Sequence, residues 1–378
     1  MQATDLLTGD AQDFLAESWA TRMHLHRGDP ELLTSLLSLD DVDRLTTASA
    51  IRTPSIRLAR DGSVLATSCF TRRASLAGAP LTGLVDPRRM LEEFDDGATI
   101  VLQGLQRSWE PITDLVAQLE AELGHPGQAN AYLTPPSARG FALHADSHDV
   151  FVVQTHGRKH WEVHDEQGIH ELVLRPGHVL YLPTGTRHAA RTTGKASLHV
   201  TIGIRPITWR AVVDRALAEV LADVDELAAP LPAGWHDDPS SLATPLKNHL
   251  GAIADALARH DHDATGAAEV ERFLTTRPTR VGGALRDRLA ADDLDDDTVV
   301  RRRPGHAVAL RPDGDDVRVL LGDRELRVPG WVRPALDEVV ARGDEPLRPA
   351  DLADHLDHDS RRVLVRRLVV EGLLTIEP

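Results

Sequence analysis

The chain has 378 residues, of which 42% are hydrophobic and 26% charged, with a formal net charge of −16; this is the composition of folded domains and leaves room for two or three cores. One cysteine, Cys69, excludes an intramolecular disulfide and any zinc site built on several thiolates, so a metal here has to be held by histidine and carboxylate. The acidity argues against general affinity for nucleic acid, which is driven by lysine and arginine displacing counterions, and favours a basic partner.

The opening "MQATDLLTGDAQDFLAESW" lacks the basic, apolar and small-residue succession of an export signal, and no window approaches the roughly 18 apolar residues of a membrane span. A cytoplasmic protein is expected. Residues 10 to 45 read as helical, through "DFLAESWATRMHLHRG" and the proline-started "DPELLTSLLSLDDVDRL". "SIRLARDGSVLATSCF" alternates around Asp61-Gly62 as a hairpin would. "GATIVLQGL" follows as a buried strand and "SWEPITDLVAQLEAEL" as an amphipathic helix.

From about 127 to 206 the pattern changes to strands: "ANAYLTPP", "FALHAD", "DVFVVQTHG", "KHWEVHD", "HELVLRPG", "HVLYLPTG", "RHAARTT" and "SLHVTIGIRP". Short apolar runs divided by Gly, Pro and Asp fit a sandwich or small barrel, and alternating βαβ units are absent. Beyond Pro206, "WRAVVDRALAEVLADVDELAA" and "SLATPLKNHLGAIADALARHD" predict two surface helices, each with one buried stripe. That stripe suits either a dimer contact or packing onto the barrel.

The stretch from about 279 reads as a separate unit: short strands around an Asp-Gly turn, three helix patterns and a terminal strand, the order of a winged helix. Its third helix carries Arg361, Arg362, Arg366 and Arg367, which raises DNA binding; "DDLDDD" at 292 to 297 and the acidic whole oppose it.

"HADSHDVFVVQTHGRKHWEVH", from His144 to His164, crowds five histidines into one strand-like stretch. Residues two apart on a strand share a face, so His144 and Asp146 point together. His188 in "YLPTGTRHAA", 44 residues beyond His144, offers a third donor beside a turn. Two histidines and one carboxylate on one side of an ion leave the opposite positions open, the arrangement that suits non-haem Fe(II). The same alternation places Lys159, Trp161 and Val163 on one face. Lysine is rare here, the others being Lys195 and Lys247, and Lys159 is a candidate anchor for a carboxylate such as that of 2-oxoglutarate. His148 and His156 read as solvated strand ends, and His160 and His164 as outward-facing. His260, His262, His355 and His358 read as solvated faces, and Trp19, Trp161 and Trp209 as packing residues.

"NAYLTPPSARGFALHADSHDVFVVQTHGRKHWEVH" together with "GHVLYLPTGTRHAARTTGKASLHVTIGI" resembles the JmjC-type 2-oxoglutarate oxygenases of the ribosomal-oxygenase, or cupin-4, family, over nearly the whole chain. The resemblance implies an α+β protein: a JmjC catalytic domain over 1–206 with a double-stranded β-helix core at about 98–206, a helical dimerisation region over 207–278 and a winged helix over 279–378. It implies Fe(II) held by His144, Asp146 and His188, with Lys159 on the distal carboxylate of 2-oxoglutarate and Asn130 and Tyr132 lining that pocket. His199 and Thr201 match a neighbouring strand, and near Gly203 the polar residue of many relatives is missing. The implied activity is hydroxylation of an arginine or histidine side chain of a ribosomal protein by a homodimer. A peptide natural product or small metabolite as substrate, demethylation, and a non-catalytic binding protein stay open as alternatives.

Overall fold

The structure, a computed structural model, describes residues 2–136, 142–192 and 194–377. It mixes helix and strand. Short helices Ala3–Thr8, Ala11–Glu17, Pro30–Thr34 and Leu39–Thr47 open the chain. Asp10, Asp29 and Ser38 cap three of them by accepting from backbone N–H groups of the first turn. The expected all-helical run from 10 to 45 is interrupted by strand His24–Arg27, which pairs antiparallel with His178–Leu182. That pairing, more than 150 residues away in sequence, overrides a local pattern that reads as helix.

An eight-stranded antiparallel sheet runs in the order His24–Arg27, His178–Leu182, Asp149–His156, Ser197–Ile204, Gly127–Thr134, Thr99–Gln103, Ile56–Arg60 and Ser63–Val64. A second sheet runs Gly168–Leu174, Lys159–Asp165, Arg187–Arg191 and His144–Ala145. All eight strand patterns between 127 and 206 are present. The beginning of "FALHAD", at Phe141, lies outside the described residues. The turn at Asp61 and Gly62 has φ of 50° and 80°, as a two-residue hairpin between twisted strands requires. A further hairpin, Thr71–Leu76 with Ala79–Val85, was not anticipated; its burial is too slight to produce a clear alternation.

Period-two alternation sorts the large sheet into two faces. Leu198, Val200, Ile202 and Ile204 join Ala129, Ala131, Phe151 and Val153 in the main core, against Phe14, Leu33, Ile112 and Val116 of the helices. The intervening residues of the same strands line a pocket with the second sheet. Val150, Val152, Trp161, Val163 and Leu180 form a smaller apolar cluster between the sheets.

Three helices follow the sheets, Trp209–Ala222, Ala243–Arg259 and His262–Thr275, where two were expected. The third begins within a stretch read as a helix end, because Asp261 accepts from the Ala264 N–H and restarts the helix. The expected buried stripes are not found: Val220 is buried on the first helix and no residue is buried on the other two. Trp209, expected to pack, is 84% exposed.

The last unit has its own core, including Val319, Leu336, Leu352, Val365 and Leu368. Helix Arg333–Ala341, a 3₁₀ turn Pro349–Leu352 and helix His358–Val370 lead into strand Leu374–Ile376, which pairs with Val300–Arg302. It docks on helix Glu110–Leu123: Arg280 meets the buried Glu120 at 2.7 Å. At Gly305, with φ of 68°, a Cβ would run into the backbone of Ala117.

Candidate active site

His188 stands on strand Arg187–Arg191, directly opposite His144 of the two-residue strand His144–Ala145, and their rings lie 4.5 Å apart. Asp146 follows at the end of that strand. Its carboxylate oxygens are 4.0 Å from His144 Nε2 and 3.7 Å from His188 Nε2. Both separations are within twice a metal–ligand bond of about 2.1 Å, so one ion can touch all three. The tautomers agree. His144 Nδ1–H donates to the Ala142 carbonyl at 2.9 Å, and His188 Nδ1–H donates to the Thr186 carbonyl at 3.0 Å. Each imidazole therefore presents a bare Nε2 to the centre. Burial pushes the His188 imidazole below its ordinary pKa, which keeps it neutral and able to coordinate. Among the described residues, these three form the single cluster of His, Cys, Asp or Glu able to hold a metal.

Beyond the triad a cavity of about 270 Å³ opens between the sheets. Register fixes its lining. Arg57, Val101, Tyr132 and His199 occupy one row across neighbouring strands of the large sheet; Asn130 and Thr201 pair in the next. All the residues expected at the cosubstrate, Lys159, Asn130, Tyr132, His199 and Thr201, line this cavity together with the triad. The Tyr132 and His199 rings stack at 5.0 Å and 5°.

Lys159 reaches in from the second sheet and is 3% exposed. Its ammonium donates to Thr134 Oγ1 at 3.1 Å and lies 3.5 Å from His199 Nδ1. Both partners are neutral, and burial alone pulls the Lys159 pKa down to about 7. Burial, and then the neighbouring Lys159 charge, hold His199 well below its ordinary value. Trp161 sits between the two ends, 5.8 Å from the His188 ring and 5.6 Å from that of His199, and its buried Nε1 has no hydrogen-bond partner. A buried ammonium without a carboxylate and an orphaned indole N–H are donors awaiting an acceptor. They fit an anionic ligand that reaches from Lys159 to a metal on the triad.

Several contributors escape a reading of motifs. Asp149, 1% exposed, accepts from the Tyr181 hydroxyl at 2.5 Å and from Thr184 N and Oγ1 at 2.8 and 2.6 Å. With Gly185 N donating to the Asp146 carbonyl at 2.9 Å, it ties the turn before His188 to the His144–Asp146 segment. His148 is not a solvated strand end: it lines the cavity, and its ring fills the space that a Cβ on Gly203 would need. Arg57 is also in the lining and hydrogen-bonds to the Tyr132 hydroxyl. Trp161 packs, as expected, and is at the same time a wall of the site. The helical histidine pairs stay apart from it: His260 bonds Thr265 at 2.7 Å and His358 bonds Asp359 at 3.0 Å.

Residues 105–168 and 163–212 match the JmjC domain family. The bifunctional lysine-specific demethylase and histidyl-hydroxylase NO66 of Aedes aegypti is 26% identical over 286 residues, covering 66% of this chain and 44% of the relative. Ribosomal oxygenase 2 of Bos taurus is 29% identical over 274 residues, covering 65% and 58%. The chain thus spans about half the length of these curated relatives. The solved structure of Escherichia coli ribosomal oxygenase YcfD aligns over 98% of this chain and 99% of its own, with a TM-score of 0.55 and 21% identity. A further structure of that protein, in complex with cobalt and 2-oxoglutarate, aligns with a TM-score of 0.52 and 20% identity. With that domain, those relatives and that full-length likeness of fold, the chain belongs to the JmjC-domain proteins, beside the ribosomal oxygenases.

Proposed function

We propose that the chain is an Fe(II)- and 2-oxoglutarate-dependent hydroxylase whose substrate is a side chain of a ribosomal protein. The observation that carries this reading is the conjunction, in one cavity, of a two-histidine, one-carboxylate centre and a buried lysine that faces no carboxylate. His144, Asp146 and His188 hold the iron, and Lys159 holds the distal carboxylate of 2-oxoglutarate. Asn130, Tyr132, Thr201 and His199 shape the wall between. When bound, iron and 2-oxoglutarate supply the oxidising power of O₂, placing one oxygen atom in a substrate C–H bond and the other in succinate as CO₂ leaves. The chain's part is to keep Nε2 of both histidines bare, fix the cosubstrate in register and close the cavity to water with Trp161 and the apolar cluster behind it.

We read the two facing sheets as the double-stranded β-helix, residues 207–278 as a dimerisation region and residues 279–378 as a winged helix. Exposed Trp209, Val213, Leu246 and Leu250, 56% or more open, support a homodimer. The winged helix reads no nucleic acid in this proposal, because its arginines are occupied within the chain. Arg361 pairs with Asp296 and Arg366 with Asp292, both in the acidic run, and Arg367 pairs with Glu371 at 2.7 Å. Arg362 donates to the Leu294 carbonyl at 2.8 Å.

Mass spectrometry of the host's ribosomal proteins, with and without the gene, tests the reading: one side chain should lose an added oxygen atom when the gene is deleted. An unchanged set points to a peptide natural product or small metabolite. Absence of succinate formation by the iron-loaded protein points to a binding protein without catalysis.

A further inference from the structure

The cavity holds a second cation besides Lys159. Arg57 projects into it from strand Ile56–Arg60, in the row of Tyr132 and His199, and its hydrogen bond goes to the neutral Tyr132 hydroxyl. Tyr132 is in turn close enough to Asp146 to feel its charge, which sets the guanidinium on the side of the cavity that faces the metal triad. Among the described residues, Asp146 is the one carboxylate in the lining, and it is a ligand. Residues 137–141, Ser-Ala-Arg-Gly-Phe, contain no carboxylate either.

This deepens the hydroxylase reading and rests on it. In the loaded site the charges of iron and Lys159 are balanced by Asp146 and the two carboxylates of 2-oxoglutarate. The charge of Arg57 is left over. A guanidinium or ammonium entering the cavity would be desolvated beside a like charge, with no acid to receive it. A neutral side chain with hydrogen-bonding atoms meets no such penalty. We infer that Arg57 is a specificity-determining residue, admitting an uncharged target side chain, such as neutral imidazole or a carboxamide, and excluding arginine and lysine. The acidic exterior and the positive interior then act on different parts of one partner. The outside draws in a basic protein, and the cavity accepts from it a residue that is not itself basic.

The test uses the full chain and four peptide pools, identical except for a central histidine, glutamine, arginine or lysine, at a pH where histidine is neutral. Binding to the Mn(II)- and 2-oxoglutarate-loaded protein without O₂ is one readout. Succinate formed above the peptide-free rate with Fe(II) is the other. The histidine or glutamine pool should bind at least about tenfold more tightly than the arginine and lysine pools, as like charges at close range in a partly desolvated site require. Arg57→Met should bring that ratio towards one, and Arg57→Lys, which keeps the charge, should preserve it. Equal or tighter binding of the cationic pools, pools that cannot be told apart, or a ratio indifferent to Arg57→Met would overturn the inference. Failure of the hydroxylase reading shows separately, as peptide-free succinate formation that is absent or unaffected by His188→Ala, while the binding ratio still reports on Arg57.

Discussion

Taking an ammonium out of water with only a hydroxyl and a neutral ring nitrogen for company costs stability, and a chain rich in arginine has done so at one of its three lysines. The folded pKa of Lys159, about 7, lies below its ordinary value. Between the two the unfolded chain binds a proton that the folded chain lacks, so this residue's cost is full at and below pH 7 and fades as pH rises. Lys159→Met should therefore be more stable to heat than the parent, most at neutral and acid pH, with the gain shrinking in alkali. The same variant should lose about 2–5 kcal/mol of 2-oxoglutarate affinity, as truncation of a buried charge partner does. Calorimetric titration of the metal-loaded protein measures the affinity. In buffers of differing ionisation enthalpy it should also show proton uptake on binding above pH 7. A variant no more stable, with affinity intact, would make Lys159 an ordinary packing residue.

At the scale of elements, the triad depends on how a turn is held. Asp149 fastens residues 183–186 through Thr184, and the strand carrying His188 starts immediately after. Asp149→Asn turns one acceptor into a donor that faces existing donors. It should cost about 1–3 kcal/mol of stability and weaken metal affinity about tenfold, read by titration with Mn(II). Much of this architecture was legible in the sequence: the eight strand patterns from 127 to 206 read correctly because alternation separates core residues such as Leu198 and Val200 from cavity residues such as His199 and Thr201. His-x-Asp and Lys159 stood out for the same reason of period two. Arg57 did not, since the pairing of Ile56–Arg60 beside Thr99–Gln103 is a tertiary fact. Asp149 was hidden as one more acid beside a motif. Strand His24–Arg27 was hidden because its partner is distant, and helix His262–Thr275 because its polar, alanine-rich composition gives no buried stripe to detect.

On the scale of the whole molecule, the helices after the sheets leave more apolar surface open than a lone chain usually does. Trp209 and Val213 lie one helical turn apart, as do Leu246 and Leu250, so each helix offers a continuous exposed face. Sedimentation should give twice the 41.3 kDa of the chain, and Leu246→Glu with Leu250→Glu should return it to a single copy with the metal centre intact. A monomeric parent would assign that face another role. The last consequence belongs to the smallest strand. His144–Ala145 forms the border of its sheet and is bonded along one side only, to Arg187 and His188. An ion shared by His144, Asp146 and His188 would therefore act as a clasp on the loosest seam of the barrel. Deuterium should enter the amides of 142–149 rapidly in metal-stripped protein and slowly once Mn(II) is added, with little change on the far border at His24–Arg27.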